Sequence, residues 1–195
     1  FTSTGWGFDT HNIIPEQQGG AHKLVACMKQ PSDIELLKVP KHQIDIAKTT
    51  ERYTLIKDAL QDIIEVDFGK GTYYMNWDGD ISTNLAQLVG LEELMYLLYD
   101  EPKWIHQILA FMRDGVLKAQ KEAEAAGDWT LTNNFNQAMT YANELPQPKA
   151  NSGPVPRNKL WGFFAAQEYA LISPEMHEEF MLNYQIPIME NYGLI

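Results

Sequence analysis

The chain has 195 residues, 45% of them apolar and 21% charged, which is enough apolar side chain to bury a core and too little charge for a disordered chain. The net charge of -11 repels phosphate backbones, and the three arginines, Arg52, Arg113 and Arg157, lie far apart, which argues against a nucleic-acid partner. Cys27 is the single cysteine, so an internal disulfide framework and a multi-cysteine metal site within this chain are excluded.

No stretch approaches the roughly 18–20 uninterrupted apolar residues of a membrane span, and FTSTGWGFDT lacks the basic and apolar regions of a signal peptide. The expectation is a soluble, cytoplasmic chain with no membrane partner. A start at Phe1 predicts either processing or a piece of something longer.

In chain order, residues 1–30 are Gly-rich and aromatic and read as loop with a short strand. Ser32 and Glu35 have capping-box spacing, predicting a short helix to about Lys38. Apolar positions mixed with Lys and Glu predict a helix over 43–60. Short β-branched or aromatic runs at 62–68 and 72–77 read as strands. Residues 82–126 read as helices broken at Gly90 and at Asp100–Pro102, with Pro102 in a first turn and Gly127 as a stop. Trp129 to Asn134 reads as a strand leading into a Pro-rich loop or insertion at 137–159, and Leu160 to Ala166 as a buried strand. Ser173, Pro174 and Glu175 then start a helix to about 191. Strands alternating with long helices predict βαβ units in one α/β domain over 1–195, either a barrel or a doubly wound sheet. No GxGxxG or P-loop occurs, and the chain is shorter than the roughly 250 residues of an eightfold barrel.

Two segments carry a family resemblance. LYDEPKWIHQIL at 98–109 and SPEMHEEF at 173–180 resemble the "LYDDPE" and "LSPE" helix starts of the uroporphyrinogen decarboxylase-like superfamily, with Asn143–Pro146 and Trp161–Gln167 similar to its uncharacterised members. The resemblance implies a partial (β/α)8 TIM barrel, incomplete at both ends. It implies methyl transfer linked to a corrinoid protein or, alternatively, decarboxylation of uroporphyrinogen or a related acid. A non-catalytic binding or regulatory module is the alternative from another class. A full-length protein of this kind would hold zinc and use a corrinoid, whereas no metal site is expected within the chain itself. An open barrel would expose strand edges and favour a homo-oligomer.

Barrel chemistry sits at the C-terminal ends of strands, which selects three groups as binding sites for a small organic ligand. Trp77, Asp78 and Asp80 around Gly79 could orient a substrate or a cation, or form a solvated turn. Asn133, Asn134 and Asn136 offer uncharged donors. Gln167 and Glu168 follow the apolar run, and the resemblance aligns Gln167 with a substrate-binding serine of the decarboxylases. The arginine-rich segment and the tyrosine of those enzymes have no counterpart here, the latter near Leu88. Scarce arginine therefore favours a neutral or weakly anionic ligand, and methyl transfer over decarboxylation.

Overall fold

The strongest apolar periodicity of the chain becomes its longest helix. In the computed structural model, which describes residues 5–9, 11–13, 23–70, 80–133 and 143–195, α4 (Pro102–Ala125) begins at the anticipated proline. It buries Trp104, Ile105, Ile108, Leu109, Met112 and Val116. These positions recur three and four apart, so they share one face of a helix. Gly127, at φ +72, follows the last turn as the stop.

The chain forms two compact units: Phe1–Pro40, Asp80–Val116 and Ala165–Pro187 in the first, Lys41–Gly79, Leu117–Phe164 and Ile188–Ile195 in the second. The first contains an antiparallel pair, β1 (His11–Ile13) with β2 (Lys23–Val25), a 3-10 helix at Pro31–Leu36, α2 (Ile81–Val89) and α3 (Leu91–Asp100). It closes with α5 (Pro174–His177), a π turn (Glu178–Leu182) and α6 (Asn183–Met189), which run without a break to the unit's end at Pro187 and beyond. Gly90 takes φ +89 between α2 and α3, a conformation open to glycine that lets one helix end and the next begin within one residue. Ser173 caps α5, its hydroxyl accepting from the Met176 N–H at 3.2 Å, with Pro174 in the first turn.

Trp6 anchors this unit. It is fully buried, its indole N–H reaches Asn84 at 3.3 Å, and its carbonyl accepts from the Lys38 N–H. Gly115 on α4 makes room for it: a Cβ there would stand 2.8 Å from the indole. Met28 and Cys27 are tied to α2 through their N–H groups, both on the Leu88 carbonyl at 2.8 Å.

In the second unit, α1 (Ile46–Leu60) occupies the expected helical stretch but buries none of its residues. The core gathers Ala123, Trp129 and Leu160, with Leu131, Val155 and Tyr192 packed against them. Two polar clamps flank it. Asp128 accepts from Lys70 and pairs with His42, each at 2.6 Å. Arg157 spans Glu124 and Gln120.

The α/β barrel expectation fails. Six residues in the one β1–β2 pair are the only ladder among the described residues, and helices dominate. Residues 62–64 extend the turn that ends α1, with the Ile63 and Ile64 N–H groups on the Leu60 carbonyl, and Ile63 is 77% exposed. Over 66–68 the polar groups are taken by side chains where a barrel would supply a neighbouring strand. Asn151 donates to the Val66 carbonyl and accepts from the Phe68 N–H, and Asp67 receives Thr132 and the Asn151 N–H. The stretch from Trp129 accepts one backbone bond, from the Val155 N–H to the Trp129 carbonyl, and then coils into a 3-10 turn, Leu131–Asn133. Among the described residues the run 160–166 forms no strand and makes one parallel bridge, Trp161 with Leu194. The anticipated strand at 72–77 lies outside the described residues.

The early cap also moves. Pro31 occupies the first turn, so Gln30 is the cap residue, and Asp33, in place of Glu35, reaches back to the Lys29 and Gln30 N–H groups at 2.7 and 3.2 Å. Among the described residues no helix is long and apolar enough to cross a membrane.

Candidate functional site

Two of the acids singled out from sequence, 88 positions apart in the chain numbering of Asp80 and Glu168, meet in the first unit. Asp80 is the N-cap of α2. Its Oδ1 accepts from the Ser82 N–H at 3.0 Å, a bond that satisfies an otherwise unpaired donor of the first turn. That role fixes the carboxyl at the helix end, where it is only 1% exposed. The Asn84 amide holds the Asp80 carbonyl at 2.7 Å.

Glu168 arrives from the other side, in the 3-10 turn Gln167–Tyr169 that packs against α2. The Thr83 hydroxyl stands between the two acids, 2.7 Å from Asp80 Oδ2 and 2.9 Å from Glu168 Oε1. The Ser82 hydroxyl donates to the other Glu168 oxygen, Oε2. Gln185 of α6 secures the approach to this turn by donating to the Ala165 carbonyl at 2.7 Å.

Burial pushes the Asp80 carboxyl up, and the charge of Glu168 adds to that, against the bonds from Thr83 and Ser82. Tyr169 is 2% exposed, and its phenol oxygen has no hydrogen-bond partner among the described residues. Burial, then the charges of Glu168 and Asp80, raise its ionisation well above the ordinary phenol value, so it remains a neutral donor.

Glu168 lines two hollows of the unit. One, of about 690 Å³, is bounded by Thr83, Ala86, Gln87 and Gly90 and carries Lys29 against the acids Glu92, Glu93 and Glu168. The other, of about 820 Å³, is bounded by Met95, Tyr96, Tyr99, Leu171, Gln167 and Glu168. Gln167 thus reaches the same groove as Glu168. A mostly apolar wall with a few converging polar groups is the usual form of an organic-ligand pocket.

The other sequence candidates do not join this site among the described residues. Trp77, Asp78, Asn134 and Asn136 lie outside them, and Asn133 ends the 3-10 turn of the second unit. Sequence reasoning passed over Ser82, Thr83 and Tyr169. A signal for Thr83 existed, since a hydroxyl three places after a capping aspartate is positioned to turn back onto it; the Ser82 hydroxyl turns to Glu168 instead and gave none. Tyr169 gave none, since burial next to a distant carboxylate depends on tertiary packing.

Cys27 is half-buried, its thiol donates to the Asp9 carbonyl at 3.2 Å, and burial with the neighbouring Asp9 raises its ionisation, the opposite of an activated thiolate. Among the described residues no three His, Cys, Asp or Glu side chains converge to hold a metal ion. No family model, curated protein or solved structure matches the chain.

Proposed function

We propose that the Asp80–Glu168 site binds a small neutral organic molecule, and that the reaction is methyl transfer linked to a corrinoid protein, in keeping with the resemblance at 98–109 and 173–180. The observation that carries this reading is the charge around Glu168. Among the described residues, three acids and a single lysine line the smaller hollow, and the larger has acids and no cation. A porphyrinogen with many carboxylates would meet repulsion there, and its binding calls for guanidinium groups in number. Arg113, the arginine of this unit, is engaged with Asp114 at 2.8 Å.

In this reading the methylated corrinoid of the partner protein would supply the methyl group, its cobalt keeping the electron pair of the broken cobalt–carbon bond. Glu168, which faces the hollows, takes the proton that a thiol acceptor releases as it is methylated, which is general-base work. Gln167 and the tyrosines of the groove position the acceptor.

The test is turnover with methylcobalamin and a thiol, followed by the visible absorbance of the cobalamin, beside an assay of uroporphyrinogen by chromatography of its products. Methyl transfer that falls in Glu168→Gln, with uroporphyrinogen unchanged, is the expected result. Decarboxylation of uroporphyrinogen overturns it. Binding of the thiol without turnover in either assay would make the protein a binding module.

A further inference from the structure

The proton count around Thr83 is unusual. A hydroxyl carries one proton, yet Thr83 Oγ1 lies within hydrogen-bond distance of two carboxyl oxygens, 2.7 Å from Asp80 Oδ2 and 2.9 Å from Glu168 Oε1. An ionised carboxylate only accepts. With both acids ionised, one of the two contacts would set lone pair against lone pair. Both become hydrogen bonds when one acid is protonated and donates to Thr83 while Thr83 donates to the other.

The surroundings decide which acid that is. Both Glu168 oxygens face hydroxyls, Ser82 on Oε2 and Thr83 on Oε1, the arrangement that suits an acceptor, and the side chain reaches the hollows. Asp80 is buried and the Ser82 N–H occupies its Oδ1, so Oδ2, which faces Thr83 Oγ1, is the oxygen that can carry a proton toward it. We infer that Asp80, Thr83 and Glu168 form a proton relay, with Asp80 as the buried proton store and Glu168 as the acid that exchanges protons with a molecule in the hollow. This rests on the reading of Glu168 as the ligand-facing acid. Desolvation of Asp80 works in the same direction, and the titratable groups that bear on it are Glu168 and Tyr169.

The transfer balances. The Asp80 proton passes from Oδ2 to Thr83 Oγ1 as the proton of Thr83 passes to Glu168 Oε1. Asp80 becomes the anion and Glu168 the neutral acid, and the trio keeps one negative charge. In the resting state Glu168 can take a proton from a bound molecule. After the shift it can give one. A carboxylate without such a store would have to take a proton before it could give one.

Infrared spectroscopy of the ligand-free protein near neutral pH, in ordinary and heavy water, reads the store directly through the carbonyl stretch of a protonated carboxyl. The band is expected in the wild type, lost in Asp80→Asn, and retained in Thr83→Ser. In Thr83→Val it should move to higher frequency as the bond from the acid is lost. In Glu168→Gln the pH at which it disappears should fall, because the neighbouring charge is gone. Asparagine is itself a good cap residue, so Asp80→Asn should keep α2, which circular dichroism checks. A wild type without the band, or a band that survives in Asp80→Asn, overturns the relay. The band is read without any ligand: its presence without methyl transfer leaves the relay standing and sinks the proposed function, and methyl transfer without the band does the reverse.

Discussion

Replacing Arg157 by alanine removes a guanidinium that is almost fully buried in the second unit. Its Nε and Nη2 donate to Glu124 Oε2 at 3.2 and 3.1 Å, and its Nη1 donates to Gln120 Oε1 at 3.0 Å. The Arg157 N–H to Glu124 Oε1, at 2.9 Å, survives the change. Breaking a buried ion pair by removing one partner costs about 3–5 kcal/mol. Glu124 keeps its backbone bond, and its side chain is 32% exposed, so water replaces part of what it loses. Gln120, 3% exposed, loses a charged donor and gains no such relief. These considerations place the loss near the low end, about 3 kcal/mol. With a urea slope of about 1–3 kcal/mol per molar, the midpoint followed by circular dichroism should fall by roughly 1–3 M. Arg157→Lys should recover part of this, since an ammonium cannot reproduce the three directed bonds. A loss below about 0.5 kcal/mol, the range of ordinary surface changes, would refute the clamp.

Three further outcomes follow from the packing and electrostatics. Burial works against ionisation of Asp128, and the bonds and charges of Lys70 and His42 outweigh it, so its carboxyl is held below the ordinary value. A depressed folded value contributes stability that is fully present above the unfolded value, about 4, and is lost as pH falls through the folded one. Melting temperature against pH should therefore fall less steeply below about pH 4 in Asp128→Asn than in the wild type, and parallel curves would contradict the clamp. In Gly115→Ala the new methyl meets the Trp6 ring at 2.8 Å, and overpacking of this kind costs about 1–3 kcal/mol; an unchanged melting temperature would show that Trp6 does not fill that space. Ser173→Ala should cost about 1 kcal/mol, and Ser173→Asp close to nothing, as measured by denaturant unfolding; equal losses in both would deny the cap.

Helix punctuation was legible in the sequence because it is local chemistry. Pro102, Gly90, Gly127 and the Ser173–Pro174–Glu175 start act within a turn of their own positions, and the structure uses each as anticipated. Strand identity was not, because a short apolar run needs a partner elsewhere to become a strand. At 66–68 the partner is an asparagine side chain from residue 151, and at 160–166 it is one bridge to Leu194. Nothing in either run announces that. Asp80 and Glu168 were chosen as strand-end residues of a barrel, yet they meet through a helix cap and a 3-10 turn. Their polarity beside apolar runs is what singled them out, while the scaffold inferred around them was wrong.

The central claim is that the hollows at Glu168 receive an uncharged acceptor and turn away a polyanion. Met95 lines the larger hollow, whereas Met112 and Met181 are buried in the core. Methyl resonances of methionines labelled with carbon-13 therefore report occupancy at a known place. The account predicts that mercaptoethanol shifts the Met95 resonance and leaves those of Met112 and Met181, and that uroporphyrin shifts none of the three. A Met95 resonance that responds to uroporphyrin and not to the thiol would contradict it.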